Sequence, residues 1–491
     1  MRARTLLPSF GLLIPALFFF LAAGSQEPIY RTTLTRDGRG IVRHPGPADF
    51  HRGALTQIPV YHPGKTESFK VDLRGYDLRA LNLDNRLADL MMADFDARTK
   101  WPTKLPKGFN PSRIMDIGKN PGLGVRELHK RGITGKGVGV AIIDQGLLAD
   151  HVEYKDRLRL YEEIHCIDDT AAMHGPAVAS IAVGKTIGVA PGADLYYIAE
   201  THGLFQPDHK FEWDFSYLAK SVERILEVNR RLPEKGKIRV ISISVGWSPR
   251  QKGYAEIVAA VERAKKEGLF VVSSSLFETY DHKLSFHGLE REPMTDPDRF
   301  ESYRPGLWWI DRFYMQGTIA GLPRETLLVP MASRSTASPT GPRDYVFYRE
   351  GGWSWSIPYI AGLYALACQI KPAITPEIFW TKAIETGDFV EIPARRPMPP
   401  EKEIEKQAQK TLDDVMWWAK ESSKGKDLGK AMAELYNDQT GQRVETMNEA
   451  DFRFWAAGQA REIVLGDTKP HSLKTIVNPI RLIEALKKLS F

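Results

Sequence analysis

Three side chains in this sequence could together make an activated nucleophile: Asp144, His174 and Ser354. A serine hydroxyl attacks poorly at neutral pH and needs a base to take its proton. An imidazole, with an unperturbed pKa of about 6.5, can accept that proton and return it to a leaving group. A carboxylate on the other ring nitrogen fixes the tautomer and stabilises the imidazolium. Such a set cleaves acyl bonds through a covalent acyl-enzyme. Taken singly, each residue has a plainer use: Ser354 as a helix cap, Asp144 as a turn former, His174 as a structural cap.

The elements that must position them are legible. Gly351-Gly352 leads into Ser354, and Ile357, Ile360, Ala361 and Tyr364 follow at helical spacing. The pattern predicts a turn feeding a buried helix, with Ser354 near the unpaired, partly positive N–H groups of its start. Pro358 is expected in the first turn, where its missing N–H is harmless. Asp144 closes the apolar run Val138–Ile143, which reads as a buried parallel strand. His174 and Gly175 open a helix whose face carries Val178, Ile181 and Ala182. Ala193–Ile198, Ile238–Val245 and Leu269–Ser275 read as further strands, and Gly253–Lys266 as an amphipathic helix. The expected fold class is α/β: a doubly wound, mostly parallel sheet with helices on both faces, plus a small N-terminal module and a helical insertion.

The motifs are strand-Asp144-x-Gly146, then His174-Gly175-x-x-Val178-Ala179, then Ser244-x-Gly246, then Gly352-x-Ser354-x-x-x-Pro358-x-x-Ala361-Gly362. In this order and context they resemble the subtilisin-like serine proteases (peptidase S8), whose triad runs Asp…His…Ser. The resemblance covers about residues 132–386, and 475–489 resembles the closing turn and helix of that domain. It implies a subtilisin-like fold and hydrolysis of peptide bonds in a polypeptide substrate, without cofactor, and leaves bound calcium open. It also implies that Ser244, Val245 and Gly246 form an edge on which substrate lies as an added strand.

The sequence departs from the family pattern at three places. Gln145 follows the aspartate where Ser or Thr is usual, and Trp353 and Trp355 flank the serine. Phe277 falls where the family places an asparagine that completes the oxyanion hole. Losing one such donor costs about 3 kcal/mol of transition-state stabilisation. A hydroxyl of Ser274 or Ser275, or a group from the long segment 278–324, is the expected substitute. The first alternative is a catalytically silent fold that binds a peptide or partner. The second is a scaffold whose working part is the repeat stretch described next.

Arg2 and Arg4 precede the apolar run 6–23, which ends in Ala22-Ala23-Gly24. This predicts a signal peptide over 1–24, export to the envelope or medium, and no membrane span after cleavage. Residues 25–109 form an N-terminal segment. Within 66–98, Asp72-Leu73, Asp77-Leu78, Asn82-Leu83, Asp89-Leu90 and Asp94-Phe95 keep a five-residue rhythm with one slip. That rhythm resembles a pentapeptide-repeat coil. Residues 99–111 read as a linker, 110–390 as the catalytic domain, 391–471 as a helical insertion and 472–491 as the closing element. With 67 basic and 61 acidic residues, the formal charge is +6 over 491 residues. No basic stripe interleaves with aromatics, so nucleic acid is not an expected partner. Cys166 and Cys368 lie in no CxxC pair or histidine cluster, which argues against a metal site. Export permits a disulfide between them, and spacing leaves the pairing open.

Overall fold

The structure is a computed structural model that describes residues 29–61, 71–306, 326–392, 400–423, 427–440, 443–466 and 471–490. The expected signal peptide, the opening of the repeat stretch (66–70) and part of the long segment (307–324) lie outside the described residues. The chain divides into two compact units. Of the described residues, one unit comprises those within 29–306, 327–388 and 476–490, and the other comprises 326 and those within 389–475.

The first unit is α/β. Its main sheet contains β1 (Arg31–Thr33), β2 (Gly40–Ile41), β3 (Gly139–Asp144), β4 (Leu158–Cys166), β5 (Asp194–Ala199), β6 (Ile238–Ile243) and β7 (Phe270–Ser273). The order is β1-β4-β5-β3-β6-β7, with β2 also on β4. Every pairing is parallel except that of β1 with β4. Asp144 aligns with Ala199, Ile143 with Ile243, and Ile243 with Ser273. The C-terminal ends of β3, β5, β6 and β7 therefore share one edge, where ligands collect in open α/β sheets.

Burial explains the continuous apolar runs. Ala141, Ile143, Ile241 and Val271 pack with Leu218, Ile225, Ile257 and Val261 from the helices Ser216–Arg231 and Tyr254–Lys266. Phe270, one residue out of phase with Val271, meets Tyr364, Phe379 and Trp380 instead. Period-two alternation with both sides apolar leaves no polar face to read.

The stretch 25–109 supplies edge strands and a small core. Arg31 and Arg43 both reach Glu163 of β4 (3.0 and 2.5 Å), and Tyr30 and Tyr217 stack on either side of His165. Each apolar residue of the five-residue rhythm, Leu73, Leu78, Leu83, Leu90 and Phe95, is buried in one cluster. Val71-Asp72 pairs in parallel with Ala93-Asp94. The stretch 99–111, linker-like in composition, seats Trp101, Leu105 and Phe109 on the same cluster as Phe347. Three anchors among Pro and Lys are enough to fasten it.

Cys166 and Cys368 are both buried free thiols. Burial pushes the Cys368 thiol up to about 12 and Cys166 higher still, so both are small apolar core residues. In the second unit the helices Glu401–Ser422, Leu428–Thr440 and Glu449–Gly466 share a core that includes Leu412, Met416, Met432, Phe452 and Ala456. No helix among the described residues is long and apolar enough to cross a membrane.

Candidate active site

Asp144 ends β3 with only 2% of its surface exposed, and His174 opens the helix α1 (His174–Val183). Asp144 Oδ1 accepts from the Gln145 N–H at 2.8 Å and lies 2.7 Å from His174 Nδ1. Gly175 makes this approach possible. A Cβ there would sit 2.6 Å from the Gln145 carbonyl and would strike the Tyr197 hydroxyl. The helix start thus presses against the turn after β3, leaving His174 Nε2 as the imidazole's remaining nitrogen.

Ser354 lies on α2 (Trp353–Ile370), which begins after the N-cap Gly352. The serine is the second helical residue, so it is not the cap, and its backbone N–H is one of the unpaired first-turn donors. Pro358 lies inside the helix instead of its first turn. Lacking an N–H, it leaves the carbonyl four residues earlier without its helical donor, and that carbonyl belongs to Ser354. Ser244 fills the gap: its Oγ donates to Ser354 O at 3.3 Å, while Ser354 Oγ donates to Ser244 O at a long 3.4 Å. The end of β6 and the serine turn are therefore fastened by a reciprocal pair. No hydrogen bond joins Ser354 to His174. What lies against the imidazole is the neighbouring indole of Trp355, ring centroids 5.3 Å apart.

The region expected to hold an oxyanion donor is resolved by its partners. Phe277 lies in the short helix Leu276–Thr279 and carries no donor. Ser275 Oγ is engaged by Trp247, accepting from its N–H at 2.9 Å and donating to its carbonyl at 3.2 Å. Ser274 Oγ is buried and has no partner, while Ser274 N–H donates to Val245 O at 3.1 Å. Ser244, Val245 and Gly246 leave the end of β6 and are buried beside Ser274, whose Cβ a side chain on Gly246 would approach to 3.2 Å.

Two further carboxylates flank Asp144. Glu200 N–H donates to the Asp144 carbonyl at 2.8 Å, and the fully buried Glu200 carboxylate binds His202 Nδ1. Burial alone would depress the His202 imidazole, but Glu200 overrides this and raises it above its ordinary value. Asp168 accepts from Gly146 N–H at 2.9 Å, and burial pushes its carboxyl up. The sequence signal for this second carboxylate–imidazole pair was Glu200-Thr201-His202 directly after a strand; only the register of β5 against β3 places it beside Asp144.

No group of three or more acidic, histidine or cysteine side chains spaced to hold a metal occurs among the described residues.

Residues 135–275 match the model of the Peptidase_S8 (subtilase) family. The matched span contains Asp144, His174 and Ser244 through Gly246, ends before Ser354, and supports reading the chain as a serine peptidase. Among solved structures, the chain is similar to the prenylagaramide maturation protease PagA, with TM-score 0.38 and 13% identity over 74% of this chain and 98% of that one. It is also similar to a cold adapted subtilisin-like serine proteinase, with TM-score 0.35 and 16% identity over 52% of this chain and 83% of that one. Both likenesses are distant.

Proposed function

We propose that the protein is an exported serine endopeptidase with a doubly wound, subtilisin-like catalytic unit, cleaving polypeptides through an acyl-enzyme. The observation that carries this is the 2.7 Å contact of His174 Nδ1 with buried Asp144 at the sheet edge where Ser244 and Ser354 are fastened together. Asp144 holds the imidazole with Nε2 free. The Ser354 hydroxyl turns from the Ser244 carbonyl to His174 Nε2, gives up its proton and attacks the substrate carbonyl. The Ser354 N–H and the Ser274 hydroxyl stabilise the oxyanion, and His174 returns the proton to the leaving amine. Water then hydrolyses the acyl-enzyme by the same route. Substrate lies in extended form along Ser244-Val245-Gly246. Residues 1–24 act as the signal peptide.

A second reading is a silent fold that binds peptides. It is favoured by the Trp355 indole against His174 and by the Ser354 hydroxyl bonded to Ser244 O. Incubation with unfolded casein separates the two. New N-termini that vanish with Ser354→Ala support the enzyme; retention of uncleaved casein on the wild-type protein supports the binder.

A further inference from the structure

We infer that Arg334 and Tyr359, behind the helix that carries Ser354, form a buried site for a small inorganic anion of the halide class. Among the described residues, four arginines are buried in this part of the first unit, and three are matched by acceptors. Arg74 binds Asp72 at 2.8 Å through Nε and again through Nη2. Arg291 Nη1 donates to the carbonyls of Glu292, Pro293 and Thr295 at 3.1 Å each, and Nη2 to Ser333 O at 2.8 Å. Arg349 donates to Met91 O at 3.1 Å and to the Glu292 carboxylate at 3.2 Å.

Arg334 is the exception. It is 2% exposed, and none of its three guanidinium nitrogens has a hydrogen-bond partner. Its guanidinium carbon lies 5.3 Å from the centre of the Tyr359 ring. That ring's hydroxyl is itself fully buried and unpartnered, as is Ser356 Oγ one helical turn earlier on α2. Among the described residues, the ionisable groups that bear on Arg334 are Tyr359, Tyr303 and Arg291, with no carboxylate among them. Burial, with Arg291 adding to it, pulls the guanidinium down to about 10, still charged at neutral pH.

A cation over a ring recovers only part of what isolating a charge from water costs unless that charge is also paired. The guanidinium can only donate, and the neighbouring phenol and serine hydroxyls carry no charge, so the missing chemistry is an acceptor carrying negative charge. Because Tyr359 and Ser356 share α2 with Ser354, the bound anion would also brace the helix that aims the nucleophile.

The test is thermal melting of the full chain in sodium chloride against sodium gluconate, at matched pH and ionic strength. The inference predicts a saturable rise of at least about 2 °C in chloride, abolished by Arg334→Met. Identical melts in the two salts, or a chloride increment that survives Arg334→Met, would overturn it. Should Arg334→Met fail to fold, ³⁵Cl NMR line broadening by the wild-type protein, reduced in Tyr359→Phe, gives the same decision; no broadening refutes the site. Melting needs no peptidase activity, so this result is separate from the fate of the proposed function.

Discussion

The acid–base half and the serine half of the site are built in different ways. Asp144 and His174 are joined directly, by a short contact between a strand end and a helix start that Gly175 lets close. Ser354 is instead held through its neighbour Ser244, by two longer hydrogen bonds, beside a proline that removes a helical donor. Around this second half lie buried polar atoms without partners: Ser274 Oγ, Ser356 Oγ, Trp355 Nε1 and Tyr359 OH. The difference teaches which half is set by the fold alone and which awaits something else. The His174–Asp144 contact is completed by the strand end and helix start themselves; the Ser354 side keeps buried polar atoms without a partner among the described residues.

The largest effects come from removing the central residue of either half. Ser354→Ala or His174→Ala should lower kcat/KM on a polypeptide substrate by roughly 10⁴–10⁶-fold, and Asp144→Asn by about 10⁴-fold, with folding intact by circular dichroism. A Ser354→Ala protein that still cleaves would remove the serine from the mechanism.

Next in size is the oxyanion donor. Ser274→Ala should reduce kcat by roughly 10²–10³-fold with KM little changed. Ser275→Ala should leave kcat much closer to wild type and lower Tm instead, because its hydroxyl ties down Trp247. Reversed outcomes would exchange the two roles.

The brace between Ser244 and Ser354 is testable through stability. Ser244→Ala strips the donor from a carbonyl that Pro358 cannot serve, and should cost on the order of 1–3 kcal/mol in chemical denaturation. Adding Pro358→Ala restores an N–H and should recover part of the loss. If the double variant is no more stable than Ser244→Ala alone, the account of that carbonyl is wrong.

The smallest effect concerns the second carboxylate–imidazole pair. The His202 pKa is raised in the folded protein, so this pair's contribution to stability is full below the unfolded pKa of about 6.5 and is lost as pH rises through the folded value. Wild type should exceed Glu200→Gln in denaturant midpoint most at acidic pH, with the gap narrowing as pH rises. A gap that widens with pH would contradict the pairing.

Much of this was legible in sequence where local rules suffice. A buried apolar run ending in Asp144, and a histidine before Gly175 and a small-residue helix, describe a strand end and helix start that need no long-range information. The turn, the buried helix and the place of Ser354 near its start follow from the sequence pattern; the depth of Pro358 in that helix does not. The helix begins at Trp353, so the serine is not its cap and Pro358 is interior; two bulky indoles hide the start that a cap residue usually announces. The edge strands β1 and β2, three and two residues long, lie in a stretch without period because β4 dictates them. Glu200 and His202 come to Asp144 through strand register, which no single-strand pattern contains. That Trp247 engages the Ser275 hydroxyl while the Ser274 hydroxyl has no partner among the described residues depends on tertiary contacts that no local pattern contains.

The most direct test of the central claim is labelling with a fluorophosphonate probe, which reacts only with an activated serine. The protein without residues 1–24 is treated beside Ser354→Ala and His174→Ala, and the adduct is located by mass spectrometry. The account predicts a single adduct on Ser354, absent from both variants. Folded wild-type protein that stays unlabelled while a known serine protease reacts under the same conditions would contradict it, and the peptide-binding reading would take its place.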